Sequence, residues 1–397
     1  MSGCADPAST KRKLFHFRGP RGNLPIMRVC IDIQSAVTQR AGVGRYTREL
    51  VKYLGPMADA DAVSLFYFDF LRRGKPFDAP ATTMRSVRWC PGRMAQHMWK
   101  SFNWPPFDVF AGPAELYHFP NFVLPPLAKG KSVVTIHDMS FIRYPEYAEE
   151  ANQKYLAARI KDTAARADAI ITISRFSADE IQTFLRVDSA RLFPTHLGIS
   201  HAFKAPPPEA VDNLRKRYQL DRPYILTVGT LEPRKNLQFL VDVFDKLDHF
   251  DGYLVLAGMP GWKYEPIFER IRLSHRAGNI KWLKYVPDSD LPALYAGAQL
   301  FMLTSLYEGF GFPPLESMAC GTPVVCSAGG SLSEVVENAA VLVDSFESDR
   351  WAELTMKAIT DTDFRRTLVS RGIEQSGKYT WEATARKTWE VYRKVAG

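Results

Sequence analysis

Five side chains stand in patterns that chemistry uses. Glu308 and Glu316 close the two ends of Glu-Gly-Phe-Gly-Phe-Pro-Pro-Leu-Glu, a Glu-x7-Glu spacing. A carboxylate accepts two hydroxyls at once, so Glu308 suits a polyol and Glu316 a second pair of hydroxyls. Arg234 and Lys235 are adjacent in Gly-Thr-Leu-Glu-Pro-Arg-Lys-Asn. An arginine fork beside a lysine point charge suits a diphosphate. His137 opens the pair His137-Asp138, and an imidazole can donate to a hydroxyl. Each group also has a plainer reading: a capping Glu308 with a solvated Glu316, a solvated basic pair, a structural histidine.

Chemistry at these residues needs elements that bring them together. Residues 299–327 read as strand, loop, helix, strand. Leu300–Leu303 is an apolar run of strand length. Gly309 and Gly311 fill the loop, where a backbone without Cβ atoms can approach a ligand closely. Pro313 and Pro314 suit the first turn of a helix, and free N–H groups at a helix start can hold a phosphate. Gly321 and Pro323 stop that helix before the strand Val324–Ser327. Glu308 therefore falls just past the carboxyl end of a parallel strand, where ligands bind in open α/β sheets. Arg234 and Lys235 follow a strand over 224–228 in the same way, and His137 follows one over 132–136. Gly42 and Gly44 lie between a strand over 28–33 and a helix reaching Leu54. They offer either a second close-approach loop or a plain tight turn.

At 397 residues the chain exceeds one hydrophobic core, so two domains are expected. The Pro-rich stretch at 204–209 reads as the hinge. No apolar run reaches the roughly 18 residues that a membrane span needs. Five scattered cysteines without Cys-x-x-Cys spacing exclude a zinc or disulfide framework and point to a reducing cytoplasmic setting. The net charge is +8, but residues 1–26 hold five cations against one acid and so supply half of it. The remainder is too mildly basic to read as nucleic-acid binding. Residues 1–26 read as a disordered extension or a misplaced start before Met27. Three Asp-x-Asp strings (Asp59/Asp61, Asp288/Asp290, Asp361/Asp363) read as turns or caps, so no metal is expected. Residues 85–104 carry Arg85, Arg88, Arg93 and Lys100 among Trp89, Met94, Trp99, Phe102 and Trp104, with no acid. That mixture is either a face for an anionic membrane or a core helix with a solvated basic side.

The whole string from Glu308 to Glu316, followed by Ala-Cys-Gly-Thr-Pro-Val-Val, resembles the donor-site signature of the retaining glycosyltransferases of family 4. The Glu-Pro-Arg-Lys-Asn loop resembles the phosphate loop of that family. The resemblance implies an α/β chain of GT-B fold: two Rossmann-like domains facing across a cleft, with the last helix crossing back to the first domain. The divisions expected are 1–26 for the extension, 27–205 for the acceptor-side domain, 206–378 for the nucleotide-sugar domain and 379–397 for the returning helix. It further implies that Glu308 orients the donor sugar, Glu316 holds the ribose hydroxyls, and His137 reaches the sugar from the opposite domain. Arg234, Lys235 and the loop of Gly309, Phe310, Gly311 and Phe312 would hold the diphosphate. Gly42 and Gly44 would lie opposite the donor phosphates, and the backbone near Val286 would seat the base. No second carboxylate is placed as a nucleophile, and the resemblance implies reaction on one face, with the leaving phosphate taking the acceptor proton.

The opening Ile-Asp-Ile-Gln-Ser and Ala-Gly-Val-Gly-Arg-Tyr-Thr-Arg-Glu-Leu strings look most like mannosyltransferases of surface polysaccharide assembly. GDP-mannose is then the first donor, and a UDP-hexose or UDP-HexNAc the alternative. The donor is a substrate, and no cofactor is expected. The acceptor would be a glycan or lipid-linked saccharide, reached from the cytoplasmic membrane face through residues 85–104. Two other classes share the fold: a sugar-nucleotide epimerase and a catalytically silent sensor. The intact acid and cation set argues against both.

Overall fold

A computed structural model describes residues 27–39, 42–58, 61–75 and 77–397. The extension expected over 1–26 lies outside these, as does Asp59 of the first Asp-x-Asp pair. Two parallel sheets organise the described chain. The first joins β1 (Arg28–Asp32), β2 (Ala62–Phe68), β3 (Thr83–Val87), β4 (Leu116–Phe119), β5 (Lys131–Ile136), β6 (Ala169–Thr172) and β7 (Leu192–Pro194). Their order is β3-β2-β1-β4-β5-β6-β7. The second joins β8 (Tyr224–Val228), β9 (Tyr253–Ala257), β10 (Ile280–Lys284), β11 (Leu300–Leu303), β12 (Val324–Ser327) and β13 (Val341–Val343), in the order β10-β9-β8-β11-β12-β13. The central strands are apolar runs buried on both faces, as β11 shows with all four residues covered. Helices on both sides of a parallel sheet produce that burial. The GT-B expectation holds.

The strand order decides where the site lies. In the second sheet the direction of winding reverses between β8 and β11, which pair directly through Leu300 with Ile225 and Phe301 with Leu226. At such a switch point the loops leaving two neighbouring strands diverge and open a crevice. The loop after β8 carries Arg234 and Lys235, and the loop after β11 carries Glu308. Residues 74 positions apart in sequence thus become neighbours without any special device.

The last helix, Trp381–Ala396, returns to the first domain as expected and packs on the helix Val43–Leu54. Trp389 donates from Nε1 to the Leu54 carbonyl at 3.0 Å. The Tyr392 hydroxyl meets His118 Nδ1 at 2.6 Å, and His118 Nε2 meets Thr135 Oγ1 at 2.8 Å. Burial pushes the His118 imidazole down to about 3, so this ring is a neutral core link.

The stretch 85–104 divides between the two readings given above. Trp99 is buried and donates to the Pro105 carbonyl at 2.7 Å, and Arg85 is tied to the Ala111 carbonyl at 3.0 Å. Trp89, Met94, Phe102 and Trp104 stand out in solvent. The helix Gly92–Phe102 therefore has a core side and an exposed apolar side.

Candidate functional site

Glu308 is the hub of the crevice. Its Oε1 accepts from Lys235 Nζ at 2.5 Å and from Ser305 Oγ at 2.6 Å, and its Oε2 accepts from Arg234 Nη1 at 3.1 Å. Its peptide oxygen is held by Ser331, through the amide at 2.9 Å and the hydroxyl at 3.1 Å. Burial on its own would push this carboxyl up. Lys235 and then Arg234 outweigh it and hold the group down at about 2. Arg234 is gripped on two further sides, by the Tyr307 carbonyl at 2.5 Å and by Glu232 at 2.5 Å. Burial opposes its charge, and Glu308 and Glu232 more than restore it.

The two cations and two carboxylates sum to zero charge. The cluster is therefore stable without a ligand, yet it keeps donors in reserve. Lys235 uses one of three N–H bonds on Glu308. Among the described residues Arg234 has no acceptor for its Nε hydrogen or for one on Nη2. Glu232 and Asp138 place further carboxylates in the cleft beyond those expected from sequence. Glu232 is engaged by Arg234, and Asp138 by the Ser140 amide and hydroxyl at 2.9 and 2.7 Å. A small cavity of about 190 Å³ between the domains is lined in part by Asp138, Glu232, Arg234 and Trp262.

The loop beyond Glu308 supplies backbone donors. Among the described residues, the amides of Gly309, Phe310, Gly311 and Phe312 donate to no other group. The helix Phe312–Ala319 begins at Gly311, whose φ of 112° leaves the preceding amides splayed. Pro313 and Pro314 remove two of the N–H groups that a helix start normally offers. The anion-binding capacity thus sits in the Gly309–Phe312 loop more than in the helix itself. Gly309 also has to be glycine: a Cβ there would come within 2.8 Å of Asp138, across the cleft.

Glu316 lies inside that helix and is buried. Its Oε2 accepts from the Tyr295 hydroxyl at 3.0 Å. Its Oε1 faces Arg45 Nη1 at 2.8 Å in an ion pair, so the first-domain arginine occupies this acceptor. Arg45 comes from the first domain and lies over the Phe312 and Phe203 rings, at 5.2 and 5.5 Å from their centroids. Val286 is buried, and Asp288 two residues later is close enough to act on the Arg45 charge.

Of the two first-domain glycines, Gly42 is exposed and has a φ of 58°. Gly44 is buried, and a Cβ there would sit 2.3 Å from the Gln39 carbonyl. Its identity follows from packing of the turn, so Gly42 is the one open to a ligand. His137 lies behind Gly309, with its ring edge-on to Tyr46 at 4.9 Å. Nε2 stands 2.9 Å from the Pro120 carbonyl, which can only accept, so Nε2 carries the proton. Burial lowers the imidazole pKa and so favours the neutral ring. In that form Nδ1 is a lone-pair acceptor, not the donor expected from sequence.

The two domains touch directly around these groups. Ser174 donates to the Gly309 carbonyl at 3.0 Å, and the Tyr307 hydroxyl bridges Glu180 and the Met139 amide. Glu334 of the second domain caps the first-domain helix Arg175–Leu185 through the Arg175 and Phe176 amides, at 2.9 and 3.0 Å. It also meets His196 at 2.5 Å. Sequence reading missed Arg45, Ser305, Ser331, Glu232 and Glu334. Two of them carried a signal: Arg45 directly after Gly44, and Glu232 inside the Glu-Pro-Arg-Lys-Asn string.

Two family models match the chain. "Glycosyltransferase Family 4" covers residues 40–203 and "Glycosyl transferases group 1" covers 211–375. The chain is 31% identical over 381 residues to the O-antigen chain mannosyltransferase B of Escherichia coli, spanning 89% of this chain and 96% of that one. The chain belongs to the family 4 glycosyltransferases. This family 4 enzyme has the fold of sucrose-phosphate synthase from Thermosynechococcus elongatus, with a TM-score of 0.75 at 20% identity over 93% of this chain and 99% of the other. It also has the fold of the Anabaena protein HepE, solved with UDP-glucose, with a TM-score of 0.67 at 18% identity over 92% and 100%. Among the described residues no helix is long and apolar enough to cross a membrane.

Proposed function

We propose that this glycosyltransferase moves mannose from GDP-mannose onto a lipid-linked or oligosaccharide acceptor of surface polysaccharide assembly, with retention at the anomeric carbon. The observation that carries the reading is the Glu308–Lys235–Arg234 cluster, set beside four unengaged amides at the switch point. The mannosyltransferase relative supplies the choice of sugar. Glu308 faces the donor hydroxyls, and His137 Nδ1 accepts one from the other side. Arg234, Lys235 and the amides of Gly309 to Phe312 stabilise the charge that develops on the leaving diphosphate. Glu316 Oε1 accepts a ribose hydroxyl once Arg45 swings off it, and the base lies by Val286. The cations already in place do the work that a metal does in other transferases.

Nucleotide melts test this reading. GDP and GDP-mannose should raise the melting temperature of the wild-type protein, by about 2.7 kcal/mol of stability at a hundredfold excess over Kd. UDP and ADP should not, Glu316→Ala should lose the shift, and EDTA should leave it unchanged. A shift with UDP alone contradicts the donor assignment. No shift with any nucleotide contradicts the reading of the site.

The exposed side of the Gly92–Phe102 helix is the proposed membrane-facing surface. Trp89, Phe102 and Trp104 project beside exposed Arg88, Arg93 and Lys100, the pairing of aromatic and basic groups that binds anionic interfaces. The wild type should sediment with vesicles containing phosphatidylglycerol, and the Trp89→Ser/Trp104→Ser variant should not. Equal sedimentation of the two proteins would remove this surface from the account.

A further inference from the structure

A cavity of about 910 Å³ lies apart from the donor crevice, at the carboxyl ends of β1, β2 and β3. One wall is the short helix Gln34–Thr38 after β1 with Gln39 behind it, a second the loop 69–75 after β2, and the third the start of the Gly92–Phe102 helix. Its volume is that of a site for a ligand of several rings. Three cations reach it: Arg73 and Lys75 from the second wall and Arg93 from the third. Among the described residues none of the three has an ion-pair partner, and all are exposed. The one acid in the lining is Asp69, which is buried and turned to the Gly74 amide at 2.8 Å. Three cations against one buried acid leave the cavity cationic, which draws an anion. Gln39 and Gln96 add amide groups of the kind that read hydroxyls.

The helix forming the third wall has a second role. Arg93 and Gln96 line the cavity, while Met94 and Met98 line an apolar groove of about 290 Å³ with Trp89, Trp104 and Val109. One helix thus separates a basic, amide-lined cavity from an apolar trough. A molecule with sugar, phosphate and hydrocarbon in succession matches that succession of surfaces.

We propose that this cavity seats the phosphate-bearing head of a lipid-linked acceptor, with Arg73, Lys75 and Arg93 gripping the phosphate that joins saccharide to lipid. The inference rests on the glycosyltransferase reading above and names its acceptor class. Arg48 of the helix Val43–Leu54 donates to the Ala36 and Gln39 carbonyls of the first wall at 2.7 and 2.6 Å, and the same helix carries Arg45, so a saccharide in the cavity adjoins the donor side.

The test measures binding to the full chain of three probes: a ten-carbon prenyl diphosphate mannoside, the neutral prenyl mannoside, and mannose 1-phosphate. The wild type should bind the diphosphate probe at least tenfold more tightly than either other compound. Arg73→Ala/Lys75→Ala/Arg93→Ala should erase that preference, and Arg93→Glu alone should weaken it at least threefold. In both variants the melt shift with GDP should persist. Equal binding of the diphosphate and neutral probes overturns the phosphate grip. Mannose 1-phosphate binding as tightly as the prenyl diphosphate overturns the lipid-linked assignment. A GDP shift without phosphate preference refutes the cavity alone, whereas loss of the GDP shift in the wild type refutes the reading beneath it.

Discussion

Glu308→Gln is expected to lower kcat for sugar transfer by about 10²–10³-fold, the size seen when one preorganised electrostatic contact is removed from a transition state. The substitution keeps the shape but removes the charge that Lys235 and Arg234 face at 2.5 and 3.1 Å. Glu308→Ala is a poorer experiment. It leaves the buried Lys235 without its carboxylate partner and Arg234 with only Glu232. Breaking a buried pair in this way costs about 3–5 kcal/mol, so lost activity would mix chemistry with folding. The pair also predicts a pH signature. A carboxyl held near 2 in the folded chain, against an ordinary 4.5, contributes stability that is full above 4.5 and lost as pH falls through about 2. Acid denaturation of the wild type should show that loss, and Glu308→Gln should flatten it. A Gln variant with near-wild-type turnover would remove Glu308 from the mechanism.

Trp389→Ala is expected to destabilise the chain by about 3–5 kcal/mol. Its indole is buried and closes on the Leu54 carbonyl, with Tyr392 edge-on at 5.4 Å. The loss creates a cavity where the end of the chain rejoins the first domain, and it leaves that carbonyl without its indole donor. Tyr392 then loses support for its bond to His118, which links onward through Thr135 to Tyr46. Denaturant unfolding should show a lower midpoint, while folded protein below the transition should still bind GDP. An unchanged midpoint would mean that the returning helix does not stabilise the first domain.

The Glu308 cluster was legible in sequence because local rules placed it. Glycine and proline punctuation set each loop at a strand end, and the reversal of strand order then brought two such loops together. Arg45 was not legible in that way. It sits next to Gly44 in sequence, but its meeting with Glu316 depends on how the two domains close, which no local pattern encodes. The direction of the His137 hydrogen bond was hidden for a similar reason. It is set by the Pro120 carbonyl, 17 residues away. Gly44 left two readings open because a tight turn and a phosphate loop call for the same residue, and the turn at Gln39 leaves no room for a Cβ there. Strand β3, Thr-Met-Arg-Ser-Val, carries no such local mark: it is an edge strand with four of five residues at least partly exposed, and it lacks the apolar run of β11.

The central claim is retaining transfer of mannose by this site, and product stereochemistry tests it most directly. The enzyme would be incubated with GDP-mannose carrying ¹³C at the anomeric carbon and with a prenyl diphosphate oligosaccharide acceptor, and the new linkage read by NMR. The account predicts an α-mannoside, matching the configuration of the donor, and an initial rate from Glu308→Gln lower by about 10²–10³-fold under the same conditions. A β-mannoside, or the same rate from the Gln variant, would contradict it.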